Sequence, residues 1–167
     1  MPCRSMIRRG WLELLPDMAT HRTVKILHIG AGERSRLLYF PVYRELQRRG
    51  ILEITGIYAR DAVRQAAVRE AGFPLAADWR TPLQHGAVDA TVVVVPPEQM
   101  ALVVESLLPF GRPILHETPL GRPVGKATAL IKKIRAAKLL VATAEQQVFS
   151  PIEQLKRQVI AAGHLGK

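Results

Sequence analysis

The run Val24-Lys25-Ile26-Leu27-His28-Ile29-Gly30-Ala31-Gly32-Glu33-Arg34-Ser35 constrains this chain more than any other stretch. An apolar segment runs straight into a glycine pair, and a helical pattern opens behind it. Gly30-x-Gly32-x-x-Ser35 has the spacing of a dinucleotide-binding turn in which a small residue stands for the third glycine. Gly30 permits the tight turn, and Gly32 lets the backbone approach a pyrophosphate. Ser35 is small enough for the new helix to pack close to the strand, and the N-terminus of that helix attracts phosphate. Glu33 and Arg34 lie between, on the crest of the turn.

The remainder alternates between two periods. Residues 36–48 read as a helix with Leu38, Val42 and Leu46 on its apolar face, weakened in its first turns by Pro41 and ended by Gly50. Residues 52–58 are a second strand, and residues 61–71 a second helix closed by Gly72. A short extended piece at 75–77 precedes a loop through Pro82 and Gly86. Residues 90–95 form a continuous apolar, β-branched run, as a central parallel strand buried on both faces requires. Pro96 and Pro97 stop it, and residues 98–108 then place Met100, Val103, Val104, Leu107 and Leu108 at helical spacing. Residues 113–117 and 139–144 read as strands, with a helix at 124–138 burying Ala127, Leu130, Ile131 and Ile134. Residues 151–162 form a last helix, with Ser150 as N-cap and Pro151 at its first position. Alternation of this kind predicts an α/β fold: a doubly wound parallel sheet of about six strands in three layers, αβα.

The formal charge of +10 raises nucleic acid as a partner, yet the lysines and arginines are scattered over all the predicted helices. No basic stripe interleaved with aromatics appears, so no nucleic-acid partner is expected. No membrane is expected either, because no apolar run approaches the roughly 18 residues of a span. Cys3 is the only cysteine. That leaves no disulfide framework and no cysteine metal site, and it favours a reducing, cytoplasmic setting. No His/Asp/Glu grouping has metal-ligand spacing. Residues 1–22 read as an N-terminal extension in which Glu13, Pro16 and Asp17 interrupt any signal-peptide core, and Met18 offers an alternative start. Residues 23–167 are expected to form one domain.

Further motifs line up in order behind the fingerprint: Ala59-Arg60-Asp61, the run from Asp89 to Pro97, His116-Glu117-Thr118-Pro119-Leu120, and the stretch from Thr143 to Pro151. Together they resemble the N-terminal cofactor domain of the glucose-fructose oxidoreductase / inositol dehydrogenase (Gfo/Idh/MocA) family, from Val24 to the C-terminus. The resemblance implies a Rossmann domain that binds NAD or NADP for hydride transfer on a sugar-like or other hydroxy or carbonyl substrate. Three departures bear on chemistry. Thr118 stands where the family carries the lysine of Glu-Lys-Pro, a residue implied to assist proton transfer. A threonine hydroxyl can hydrogen-bond but cannot donate a proton near neutral pH, so no catalytic residue is assigned. The family's Tyr-Asn-type pair reads Glu145-Gln146, or a residue to either side. No counterpart of the family's second α/β domain is read, so the substrate half is expected to be lost by truncation or supplied by a partner chain.

The cofactor half assigns Gly30, Gly32, Glu33, Arg34, Ser35, Ala59, Arg60, Pro96, Pro97, Glu117 and Thr118 to cofactor binding. At the end of the second strand an acid would bind the ribose 2′-hydroxyl of NAD, whereas an arginine accommodates a 2′-phosphate. Ala59 and Arg60 occupy the matching positions, so NADP is favoured over NAD. Asp61 is either that acid or the cap of the second helix. Glu117 is implied to contact the nicotinamide ribose, in which case strand alternation turns His116 away. His28, inside the first strand, is expected as a hydrogen-bonded core histidine. Two functional readings stand side by side: an oxidoreductase module completed elsewhere, and a non-catalytic dinucleotide-binding or interaction protein. Either leaves a surface that a second domain would cover, which predicts a homo-oligomer or a protein partner.

Overall fold

The computed structural model describes residues 22–164. The expected features of residues 1–21 lie outside the described residues. Six strands form one sheet: β1 (Val24–Ile29), β2 (Leu52–Tyr58), β3 (Leu75–Ala76), β4 (Ala90–Val93), β5 (Ile114–His116) and β6 (Val141–Thr143). Their order is β3-β2-β1-β4-β5-β6, and every neighbouring pair runs parallel. The helices are α1 (Phe40–Arg48), α2 (Ala62–Glu70), α3 (Arg80–Gln84), α4 (Pro97–Leu107), α5 (Val124–Ala137) and α6 (Pro151–Ala161).

Side-chain alternation along the strands builds the two outer layers. Leu27 and Ile29 of β1 join Val93, Leu83, Met100, Val104 and Leu130, so α3, α4 and α5 cover one face. Ile26 joins Ile54, Val92, Phe40, Tyr43 and Val68, so α1 and α2 cover the other. Each fully buried side chain of Leu or Phe size contributes roughly 1.5–3 kcal/mol. The winding reverses between β1 and β4, which opens a crevice at the carboxyl ends of those strands. By contrast, α6 buries none of its side chains.

The first helix departs from its expectation. Ser35–Tyr39 forms a π-helical turn, and α1 proper begins at Phe40 with Pro41 in its first turn. Pro41 has no N–H to offer Leu37, and the π turn, closed by the Phe40 N–H on Ser35 O, absorbs the gap. The wider turn changes which face follows. Phe40 and Tyr43 are buried, whereas Leu38 and Val42 are 49% and 53% exposed and Leu46 is half-buried.

Other differences are local. β4 ends at Val93 rather than at residue 95. The Val94 N–H still reaches Ile29 O at 2.8 Å, but Pro96 has no N–H with which to extend the ladder. The loop expected through Pro82 contains α3, because the Asp78 carboxylate accepts both the Thr81 N–H and its hydroxyl. On α5, Leu130 is buried, Ala127 and Ile134 are half-buried, and Ile131 is exposed. Ser150 precedes α6, but its hydroxyl makes no capping bond. Asp61 caps α2 by accepting the Arg64 N–H at 2.9 Å.

Candidate functional site

The crest between β1 and the π turn is tied on both sides. The Gly30 N–H donates to Tyr58 O at 2.9 Å, and Gly30 adopts φ +110°. A Cβ on Gly30 would stand 2.0 Å from Val94 O, so this glycine lets the turn press against the end of β4. Gly32 is the opposite case: a Cβ there would meet nothing within 4 Å. That open space belongs to a cleft of about 360 Å³.

Nine of the eleven residues expected at the site line this cleft. Gly30, Gly32, Glu33 and Arg34 come from the crest, Arg60 from the end of β2, Pro96 and Pro97 from the end of β4, and Glu117 and Thr118 from the end of β5. Ser35 and Ala59 do not line it. Ala59 is buried, and its carbonyl accepts from Gln65 Nε2 at 3.1 Å. Ser35 is fully buried beneath the crest, where its hydroxyl donates to Gly30 O at 3.2 Å. Glu145 and Gln146 also lie outside the cleft lining.

Ser35 is one member of a buried chain. His28 Nε2 lies 3.1 Å from the Ser35 hydroxyl, and His28 Nδ1 lies 2.8 Å from the Tyr43 hydroxyl. Since Ser35 gives its proton to Gly30, the Nε2–H of His28 donates to Ser35, and Nδ1 accepts from Tyr43. Complete burial lowers the His28 pKa to about 3, so the ring is neutral. His116, also buried, bonds Glu117 O through Nδ1 at 2.8 Å and contacts the Thr143 hydroxyl through Nε2 at 3.1 Å. It points away from the cleft that Glu117 faces.

The cleft is polar at both ends. At the β5 end, Glu117 Oε1 accepts the Tyr39 hydroxyl at 2.7 Å and pairs with Arg34 Nε at 2.7 Å. Burial and then Glu117 push the Tyr39 pKa up, and the bond to Glu117 raises that of Arg34. At the β2 end, Arg64 pairs with Asp61. Hydrogen bonds from Arg64 hold the Asp61 carboxyl below the ordinary range, so Asp61 serves as cap and ion-pair partner. Arg60 makes no hydrogen bond or ion pair with a described residue. Sequence reasoning missed Tyr39, Trp79, Tyr58, Arg64 and Gln99 around the cleft. Only Arg64, three residues past the capping Asp61, carried a readable signal. A phosphate-bearing ligand fits this arrangement, with open space above Gly32 and three arginines in the lining.

The sequence pattern described as "Oxidoreductase family, NAD-binding Rossmann fold" matches residues 24–145. None of the curated proteins matches the chain. An oxidoreductase of Thermotoga maritima is 22% identical with a TM-score of 0.76, covering 87% of this chain and 45% of its own. A 3-ketoreductase of Actinomadura kijaniata, in complex with NADP and TDP-benzene, is 21% identical with a TM-score of 0.70, covering 84% of this chain and 43% of its own. The WlbA dehydrogenase of Chromobacterium violaceum, in complex with NADH and UDP-GlcNAcA, is 18% identical with a TM-score of 0.74, covering 86% and 41%. The chain thus spans less than half the length of these structures, and at such identities the likeness establishes the fold.

Proposed function

The chain belongs to the Gfo/Idh/MocA oxidoreductase family, and from that premise we propose that its cleft binds NAD(P) for hydride transfer on a sugar-like or other hydroxy or carbonyl substrate. The observation that carries this reading is the open space above Gly32, in the crevice where the sheet order reverses. When bound, the dinucleotide supplies or accepts the hydride. The chain's own part is to bind and orient: the crest backbone meets the diphosphate, and the fixed Glu117 carboxylate meets the nicotinamide ribose. Thr118 can orient a substrate oxygen by hydrogen bonding but cannot protonate it. On this reading the proton comes from a group other than Thr118.

We also propose NADP in preference to NAD. Arg60, exposed and within 4 Å of no carboxylate among the described residues, supports a 2′-phosphate, and Arg64 beside it adds a second guanidinium. Arg60→Ala is expected to weaken NADPH about 10–100-fold while leaving NADH within about twofold, as loss of a charge-assisted bond predicts. Fluorescence titration of both cofactors checks it. Turnover with sugar or cyclitol substrates then separates the readings. Binding with turnover supports the oxidoreductase, binding alone a non-catalytic binding protein, and absence of binding removes the cofactor assignment.

A cytoplasmic setting is proposed from the single cysteine; among the described residues no helix is long and apolar enough to cross a membrane. Exposed Phe149, Ile152, Leu155 and Ile160 along α6 and the turn before it support self-association or a covering partner. Sedimentation at high concentration is expected to show species heavier than the monomer.

A further inference from the structure

Three arginines line the cleft, and only one stands on the crest. Arg60 and Arg64 come from the end of β2, whereas Arg34 sits two residues past Gly32. Arg34 Nε is 2.7 Å from Glu117 Oε1, the oxygen that also accepts the Tyr39 hydroxyl at 2.7 Å. The Thr118 N–H lies 3.3 Å from the other oxygen, Oε2. Glu117 itself is only 5% exposed, so its carboxylate is a fixed post. Tyr39 is the last residue of the π turn, and through its hydroxyl the irregular turn joins the crest to the end of β5.

A guanidinium carries five N–H donors in a rigid fork. Among the described residues Glu117 is the sole hydrogen-bond or ion-pair partner of Arg34, whose side chain is 46% exposed. Donors therefore remain on a cation whose position is already set. A side chain held before its ligand arrives loses little rotamer freedom on binding. Phosphate oxygens are what such a fork matches.

We propose that Arg34 is a preorganised diphosphate clamp: Glu117 and Tyr39 hold the guanidinium at the crest, and its remaining N–H donors take diphosphate oxygens of the dinucleotide. This rests on the reading of the cleft as a dinucleotide site. Tyr39 acts through Glu117 as a positioning residue.

Calorimetric titration with ADP-ribose, which carries the diphosphate without nicotinamide, tests the clamp on the whole chain and on Arg34→Gln, Arg34→Lys and Tyr39→Phe. Adenosine 2′-monophosphate, which lacks a diphosphate, is the control. ADP-ribose affinity is expected to fall about 10-fold or more in Arg34→Gln and by less in Arg34→Lys, which keeps the charge but loses the fork. Tyr39→Phe is expected to fall between these and the unaltered chain, with the control ligand unmoved throughout. Equal ADP-ribose affinity in Arg34→Gln and the unaltered chain overturns the clamp and leaves the dinucleotide site standing. Recovery of affinity in the Arg34→Gln/Glu117→Gln pair reduces Arg34 to a counter-ion for Glu117 and overturns the clamp as well. Absence of ADP-ribose binding to the unaltered chain overturns both the clamp and the site it rests on.

Discussion

Replacing Gly30 by alanine is expected to cost the fold more than about 4 kcal/mol, beyond the range of ordinary point substitutions. The new Cβ would lie 2.0 Å from Val94 O and 2.8 Å from its carbonyl carbon. Neither side can yield cheaply. The Gly30 N–H is bonded to Tyr58 O, and the Val94 N–H to Ile29 O, so the crest and the end of β4 are both laced into the sheet. The φ of +110° adds strain that an L-residue meets and glycine does not. Thermal unfolding should drop by about 8–16 °C, at roughly 2–4 °C per kcal/mol for a chain of this size. Gly32→Ala is the matched control. Its methyl enters open space, so the melting temperature should hold while NADPH affinity falls, and equal melting of the two variants would contradict the account.

The second large effect is acid sensitivity through His28. Its pKa is lowered to about 3 in the fold, whereas an unfolded chain holds it near its ordinary 6.5. Between those values the unfolded state binds the extra proton, so stability rises with pH. The contribution is complete above about pH 6.5 and is lost as pH falls toward 3. Between pH 7 and pH 4.5 that loss amounts to roughly 2–3 kcal/mol. His116, also lowered by burial, acts in the same direction. Denaturant unfolding of the unaltered chain and of His28→Gln at both pH values checks this. His28→Gln should be less stable at pH 7, having lost part of the link to Tyr43 and Ser35, yet should lose roughly 2–3 kcal/mol less on acidification. Parallel losses in the two proteins would refute the assignment.

Much of this architecture was legible because its elements announce themselves chemically. The glycine pair after β1, the Val-rich β4 and the Pro96-Pro97 stop are local signals, and the parallel sheet follows from their alternation. Asp61 as a cap was legible for the same reason, since the signal and the bond lie three residues apart. The first helix was not. A period of 3.6 residues assigns Leu38 and Val42 inward, but a π turn upstream of Pro41 breaks the count, and Phe40 and Tyr43 take the core instead. The cleft divides similarly. Gly32 and Arg60 sit at ends of elements and could be named from spacing, whereas Glu117 was named through the family resemblance. Tyr39 reaches Glu117 across 78 residues of sequence, through a turn that no periodicity reveals.

The strand order also governs how the chain leaves the ribosome. β1 is flanked by β2, its sequence neighbour among strands, and by β4, whose approach is recorded where the Lys25 N–H donates to Asp89, 64 residues on. A nascent chain can zip β1 to β2 early, but the opposite backbone edge of β1 stays open until β4 has been translated. At roughly 5–20 residues per second that interval lasts about two to seven seconds. Throughout it, an apolar strand with a bare hydrogen-bonding edge faces solvent or a chaperone. The strand that later carries the crest thus passes through synthesis half enclosed, and the topology of the sheet sets how long.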